Sequence, residues 1–194
     1  MYDQILNQLS RFITLDKEEQ EYFINMLVVK QFKKKELILQ QGQVCNYTYF
    51  INKGCLRYYY LVEGKENTAQ FFFENGWYTD FESFLSGKPS HQNIETLEKT
   101  ELLMLSSKHI QQLYMDVPKF ERFGRQMAEH AFLGIRGRTE MLENLSAEER
   151  YLKLLKERPK VVERIPQHYI ASYLGVQPES LSRIRNRISN QRIS

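Results

Sequence analysis

The residues best suited to contact a charged or hydrogen-bonding partner lie near the end of the 194-residue chain. At about 100° per residue, a helix that begins at Pro178 would carry its polar residues on one side. These residues are Glu179, Ser182, Arg183 and Asn186, with Arg187 at the edge. Such side chains can reach base edges in DNA, and arginines can contact phosphates. The solvated face of an ordinary helical hairpin would show the same pattern, so periodicity alone leaves both interpretations open.

A second, shorter helix is predicted just before this one. The helix that begins at Pro178 has an apolar side formed by Leu181, Ile184 and Ile188. The helix before it has an apolar side formed by Ile170, Tyr173 and Leu174. Gly175 is expected to end the shorter helix, because glycine readily takes the left-handed conformation found at helix ends. Pro178 suits the first turn of the next helix. Two short helices joined by a tight turn are typical of a DNA-reading helix-turn-helix.

The charge distribution favours the nucleic-acid interpretation. From Ala147 to the end, the chain carries ten Lys and Arg against five Glu, whereas the remainder has 17 basic and 19 acidic residues. The net charge of the whole chain is only +3. Cations gathered at one end indicate a polyanionic partner for that end.

A long helix is predicted over residues 118–145, before the helix-turn-helix region at 146–194. Its apolar residues recur at spacings of three, four or seven: Phe120, Phe123, Met127, Ala131, Ile135, Leu142 and Leu145. The stripe predicts either a dimer seam or packing on the chain's own sheet. Ser146 and Glu149 form a capping-box pattern at the start of the next helix.

The first 117 residues are expected to form a domain made of N-terminal helices and a sheet. Short runs rich in β-branched and aromatic residues follow one another from Leu27 to Ser106, with turn residues between them. Asn52-Lys53-Gly54 is predicted to be a hairpin turn. Many short strands at short spacing predict a sandwich or jelly roll, so the fold class is α+β.

Composition excludes several classes of protein. No run approaches the roughly 18 apolar residues that a membrane span needs, and the chain start shows no signal-peptide pattern. Cys45 and Cys55 are too few for a disulfide framework, and we expect both to be reduced. These features predict a cytoplasmic protein with no membrane partner.

The order of elements and several motifs resemble the Crp/Fnr family of bacterial transcription regulators. In the sheet region the resemblance rests on Gly42, the 50–54 turn and Gly76. Near the end it rests on the segments Ile170–Val176 and Glu179–Arg183. The resemblance implies a jelly roll similar to a cyclic-nucleotide-binding domain, a dimerisation helix and a helix-turn-helix. It also implies a homodimer that binds double-stranded DNA, with RNA polymerase as a further partner.

Residues are carried over from the family's DNA-reading helix to matching positions here. The predicted DNA-binding set is Gln177, Glu179, Ser180, Ser182, Arg183, Asn186 and Arg187. Pro178 lacks a side-chain donor, so the target sequence of other members does not transfer. Family members usually follow this helix with a β-hairpin wing, but only six residues follow Ile188. We therefore expect a truncated wing, with Arg185, Arg187 or Arg192 supplying phosphate contacts.

The resemblance also locates a candidate effector pocket, formed by Asp80, Phe81, Glu82, Ser90 and His91. Cyclic-nucleotide binders of the family use an arginine for the cyclic phosphate, and Ser90 stands at that position. Lys88 is a poor geometric substitute. Cyclic AMP is therefore not the expected effector; the pocket would hold another small molecule or be purely structural. No cofactor or metal is expected, because the four histidines are scattered and two cysteines cannot hold an iron–sulfur cluster.

Two other classes of function are compatible with parts of the sequence. A cupin-like enzyme would need two or three histidines and a carboxylate on adjacent strands, and only His91 lies in the sheet region. A protein-interaction module could use the basic end to contact acidic partners. We expect a regulator and not an enzyme.

Overall fold

The computed structural model describes residues 1–191, and within them the chain forms eight strands and nine helices. The strands are β1 (Val28–Phe32), β2 (Leu37–Leu39), β3 (Tyr47–Lys53), β4 (Cys55–Val62), β5 (Lys65–Phe73), β6 (Trp77–Tyr78), β7 (Asn93–Thr96) and β8 (Thr100–Ser106). The helices are α1 (Asp3–Leu9), α2 (Lys17–Asn25), α3 (Phe81–Ser86), α4 (Ser107–Asp116), α5 (Lys119–Asn144), α6 (Ala147–Glu157), α7 (Pro159–Arg164), α8 (Gln167–Leu174) and α9 (Pro178–Gln191). These elements confirm the α+β class.

The residues group into two compact units. The first contains residues up to Tyr58 together with Phe71–His130, and the second contains Tyr59–Gln70 together with the residues from Ala131 onward. The long helix α5 contributes to both units, and so do the paired strands β4 and β5.

Two four-stranded sheets build the first unit. One has the order β1-β8-β3-β6 and the other the order β2-β7-β4-β5. Successive side chains of β3 point to opposite faces of the first sheet, and both faces are covered. Tyr49 and Ile51 belong to the apolar core that both sheets share, whereas Phe50 faces a second core formed with helices α1, α2, α4 and the start of α5. The jelly roll predicted from the strand pattern is thereby confirmed as a two-sheet β-roll.

The predicted hairpin at Asn52-Lys53-Gly54 is wrong. Strands β3 and β4 lie in different sheets, so the chain turns a corner there instead of pairing back on itself. Gly54 has φ 104°, and a Cβ at this position would lie 2.8 Å from the Thr100 Cα. Only glycine fits both the conformation and the space. The tight hairpin comes one connection later, where Glu63 and Gly64 join β4 to β5 with φ values of 51° and 77°, as a type I′ turn requires.

Within the second unit, α6 begins with the predicted capping box. Ser146 accepts a hydrogen bond from the Glu149 N–H, and the Glu149 side chain accepts one from the Ser146 N–H. Helix α6 contacts both α8 and α9, and the short helix α7, which the sequence pattern did not reveal, contacts α6 and α8. These helices form the support on which α8 and α9 lie.

The apolar stripe of α5 has two different environments along its length. Phe120 and Phe123 are buried in the core of the first unit, as the packing interpretation predicts. Further along, Phe132, Leu133 and Ile135 are each more than 60 % exposed. One continuous helix thus packs on its own unit at one end and presents an open apolar face at the other.

The predicted truncated wing falls on the last six residues. Ser189–Gln191 continue α9, and the remaining three residues, including Arg192, lie outside the described part of the chain. None of the helices in the described range is long and apolar enough to cross a membrane.

Candidate nucleic-acid interface

The turn between α8 and α9 has the geometry predicted for Gly175. This residue has φ 67° and ends α8 in the left-handed conformation. Its N–H donates to the Ser172 carbonyl (3.1 Å), and the Val176 N–H donates to the Ala171 carbonyl (3.0 Å). These bonds satisfy carbonyls that would otherwise be unpaired at the helix end. The turn is therefore short and fixed by its own backbone.

One side of α9 is packed into the second unit. Leu181, Ile184 and Ile188 are 1 %, 5 % and 7 % exposed. On α8, Ile170, Tyr173 and Leu174 are buried as well. Burying a side chain of this size contributes about 1.5–3 kcal/mol. The two apolar sides predicted from spacing therefore hold α8 and α9 together.

The other side of α9 faces solvent. Of the predicted DNA-binding residues, Gln177, Glu179, Ser182, Arg183, Asn186 and Arg187 are exposed, and Ser180 is half-buried. The structure thus brings all seven to one short segment with its polar groups accessible. A surface with a carboxylate, an amide, hydroxyls and guanidinium groups can both donate to and accept from base edges.

Two of these arginines already have partners on the protein surface. Arg183 Nη2 donates to the Ser180 hydroxyl at 3.2 Å, a contact within one turn of the helix. Arg187 Nη1 lies 2.9 Å from Glu148 Oε2 at the start of α6. The Arg187 side chain is 58 % exposed, and pairs this exposed contribute at most about 1 kcal/mol. A phosphate could replace Glu148 at little cost.

The candidate effector residues are placed differently. Asp80 is buried and caps α3, its carboxylate accepting from the Ser83 N–H. Ser90 is buried and its hydroxyl donates to the Gln92 carbonyl (3.0 Å) while accepting from the Gln92 N–H (3.0 Å). Phe81 is half-buried, and Glu82 and His91 are exposed. The two buried polar residues thus serve local backbone groups.

The neighbourhood of α3 is tightly hydrogen-bonded. The Ser83 hydroxyl accepts from the Cys45 N–H (2.9 Å) and donates to the Lys88 carbonyl (2.6 Å). Burial raises the pKa of the Tyr49 phenol far above its usual range, and the neighbouring Cys45 thiol adds to the shift. Tyr49 is therefore neutral at physiological pH. Asn93 Nδ2 is a buried donor with no hydrogen-bond partner within residues 1–191, so it could serve a ligand or a water molecule.

Three aromatic rings line the shared core of the two sheets. Tyr58 stacks on Tyr78 at a centroid distance of 5.4 Å, and Phe72 lies 4.3 Å from Tyr78. The Tyr78 hydroxyl donates to Gln92 Oε1 at 2.6 Å. These contacts agree with the expectation that the abundant Tyr and Phe residues pack the sheets.

Comparison with known proteins connects this architecture to a family. Residues 29–116 match the model of the cyclic nucleotide-binding domain. The match covers 88 of the 194 residues and lies within the two-sheet part of the chain. A search of curated protein sequences finds no significant match.

Solved structures extend the likeness to most of the chain. FixK2 from Bradyrhizobium japonicum has a TM-score of 0.76 at 18 % identity, over 85 % of each chain. CLP from Xanthomonas campestris, a c-di-GMP-responsive global regulator, has a TM-score of 0.71 at 17 % identity, over 91 % of this chain and 93 % of its own. A protein of Eubacterium rectale assigned to the Crp/Fnr regulators scores 0.71 at 18 % identity, over 91 % of this chain and 85 % of its own. At these identities the likeness establishes the fold, and the resemblance to the Crp/Fnr family is confirmed at that level.

The segment that holds the candidate effector residues offers few cations to a phosphate. In residues 79–93 the only Lys or Arg is Lys88, which is exposed. The buried Arg57 pairs with Glu95, with Nη2 and Oε2 2.9 Å apart. A phosphate monoanion held away from water needs a cation or several donors directed at it. Here Asp80 places a carboxylate at the start of α3 instead.

No group of three His, Cys, Asp or Glu side chains in residues 1–191 is arranged to hold a metal ion. His91, the histidine on which a cupin-like site would depend, is exposed. Cys45 and Cys55 are both buried as free thiols.

Proposed function

We propose that this protein is a dimeric transcription regulator of the Crp/Fnr type that binds specific DNA sequences through the outer side of α9. The observation that carries the proposal is the division of α9 into a buried apolar side and an exposed polar side. Glu179 can accept from a cytosine amino group, and Arg183 can donate two bonds to guanine. Arg187 and Arg185, both exposed, are suited to phosphates.

The open face of α5 supports a homodimer. Phe132 and Ile135 border a shallow depression on one side of α5 that also includes Arg136, Thr139 and Glu140. Contiguous exposed apolar residues with a polar rim are typical of protein–protein interfaces. A second copy of α5 is the occupant we propose, because a two-fold axis along this helix would bring identical apolar faces together.

We further propose that cyclic AMP is not the effector. The local hydrogen bonds of Asp80 and Ser90, together with the exposure of Lys88, support this view. Isothermal titration of the protein with cyclic AMP should show no binding at micromolar concentrations. Micromolar affinity would contradict the proposal.

Fluorescence anisotropy with duplex DNA at several salt concentrations tests the central proposal. Binding should weaken steeply as salt rises, because each neutralised phosphate releases counterions. A sequence selected from a random library should bind at least about a thousandfold more tightly than unrelated duplex. Absence of duplex binding at physiological salt, combined with capture of acidic proteins, would favour the interaction-module alternative.

A further inference from the structure

The part of β5 nearest the β4–β5 turn makes hydrogen bonds to α8, the first helix of the helix-turn-helix. The sequence pattern did not predict these contacts. The Thr68 N–H donates to the Ser172 hydroxyl at 2.9 Å, and the same hydroxyl donates to the Glu66 carbonyl at 3.0 Å. Ser172 lies in α8, 104 residues from Thr68. One serine hydroxyl therefore bonds two backbone groups of the strand, the Thr68 N–H and the Glu66 carbonyl.

An arginine of α5 joins the same contact. Arg138 Nη2 donates to the Thr68 carbonyl (3.1 Å) and to the Tyr173 carbonyl (3.0 Å). Its guanidinium also lies over the Tyr173 ring, 4.2 Å from the centroid. Hydrogen bonds from a charged donor are stronger than those between neutral groups, and stacking on the ring adds cation–π attraction. Arg138 thus links α5, the strand and α8.

A second arginine approaches Tyr173 from the end of α6. Arg158 Nη1 donates to the Gln70 side-chain carbonyl and to the Tyr173 hydroxyl (3.4 Å). Tyr173 itself is 5 % exposed. We call the contacts of Glu66, Thr68 and Gln70 with Ser172, Arg138 and Arg158 the strand–helix clamp.

The clamp leaves the outer side of α9 accessible. Arg183 and Asn186 are exposed while all the clamp bonds are formed. The clamp therefore does not mask the DNA-reading surface; it fixes the direction of α8, and through the tight turn at Gly175 that of α9, relative to α5.

We propose that Ser172 and Arg138 are positioning residues for DNA binding, which set the orientation of the reading helix on α5. This inference rests on the proposed function. In a dimer joined through α5, a fixed orientation sets the distance between the two reading helices. A site with two half-sites then binds without a further ordering cost, whereas a loosened clamp transfers that cost to binding. A single half-site does not require the spacing and should be insensitive to the clamp.

The test compares the full-length chain with a Ser172→Ala/Arg138→Gln variant. Ser86→Ala/Arg125→Gln is the matched control, since the Ser86 hydroxyl bonds only to the nearby Glu82 carbonyl and Lys88 N–H and Arg125 is 62 % exposed in a surface ion pair. Duplexes are the site selected by the unchanged chain, one half-site of it, and the same site with one base pair inserted at its centre. Arg138→Lys alone serves as a milder variant, and circular dichroism verifies that each variant is folded.

The clamp variant should bind the full site about tenfold more weakly and the half-site within about twofold. It should also discriminate less against the lengthened site. Hydrogen exchange of the free protein should be faster in residues 59–70 and unchanged in α9. The control should match the unchanged chain in every assay.

Three results would overturn the inference. Full-site affinity and spacing preference could remain unchanged although exchange in residues 59–70 is faster. Affinity for the half-site and the full site could fall equally, which would indicate a direct role in DNA contact. Exchange in residues 59–70 could remain slow, so that the clamp is not formed. An unchanged chain that binds no duplex at all would instead refute the proposed function.

Discussion

The segment around α3 and the helix α9 were both predicted to hold ligand-binding residues, and their polar groups are arranged in opposite ways. Asp80 and Ser90 are buried and bonded to nearby backbone. Glu179, Arg183 and Asn186 are exposed on a helix whose other side is packed. Polar residues that serve their own backbone stabilise a fold, whereas polar residues held outward on a rigid support are available to a partner.

This contrast separates two kinds of experimental outcome. Substitutions in the β-roll should change the stability of the protein, while substitutions on the outer side of α9 should change DNA affinity without unfolding it. Substitutions on the open face of α5 should weaken DNA binding by preventing dimer formation.

The largest effect is expected from Ile135→Glu combined with Phe132→Glu. Four carboxylates at a two-fold interface would repel one another and lose their solvation, so dimers should not form at micromolar concentration. Full-site affinity should fall more than about a hundredfold, because both half-sites must then be bound independently. Sedimentation velocity and anisotropy measure the two quantities. Met115→Glu, at a residue 69 % exposed on α4, is the control and should change neither.

Glu95→Ala should destabilise the β-roll strongly. Its carboxylate pairs with Arg57, whose side chain is 1 % exposed. Removing one partner of a buried ion pair costs about 3–5 kcal/mol. Urea denaturation would show the loss as a lower midpoint. A variant with unchanged stability but altered DNA affinity would contradict the division of roles drawn here.

Arg183→Ala should reduce affinity for the selected site by about 1–3 kcal/mol and relax the base preference at one position. Arg187→Ala should weaken binding to all sequences alike, since a phosphate contact carries no base information. Repeating the selection with each variant distinguishes the two roles. Equal effects on preference would show that the reading face has been assigned incorrectly.

Ser146→Ala should cost about 1 kcal/mol of stability through loss of the cap on α6. The Ser146 hydrogen bonds lower the pKa of Glu149. A carboxylate with a lowered folded-state pKa adds stability above its unfolded pKa, and this stability is lost as pH falls through the folded value. The difference between the variant and the unchanged chain in thermal melts should therefore shrink in acid. A difference independent of pH would indicate that the Ser146 side chain does not stabilise the Glu149 carboxylate, because the backbone N–H at position 146 remains in the variant.

The smallest effect is expected from Glu148→Gln, which removes the partner of Arg187. The pair is exposed, so stability should change by less than about 1 kcal/mol. Freed from Glu148, Arg187 should contact phosphate more readily, and non-specific affinity should rise slightly at low salt. Anisotropy with unrelated duplex DNA measures this change. A decrease in affinity would show that Glu148 helps to hold Arg187 in its binding position.

Local patterns in the sequence were sufficient to predict the helices at the end of the chain. The two sides of α9, the stop at Gly175 and the capping box at Ser146 all depend on residues within one or two turns of each other. The resemblance to the Crp/Fnr family added the fold, a β-roll followed by a long helix and C-terminal helices, and the fold comparisons confirm it.

Local patterns could not predict contacts between residues far apart in the sequence. Gly54 turns the chain from one sheet to the other because of its contact with Thr100, 46 positions away. Arg138 meets Thr68 across 70 residues. No periodicity marks such partners. The division of α5 into a packed end and an open end likewise depends on where the neighbouring elements stop.

Sequencing of genomic DNA fragments recovered with the protein tests the central claim most directly. If the outer side of α9 reads the major groove and the protein is a dimer, the fragments should share a nearly palindromic motif with half-sites about 34 Å apart. The Arg183→Ala variant should recover fragments in which one symmetric pair of positions has lost its preference. Fragments without a shared motif, or an identical motif for the variant, would contradict the account.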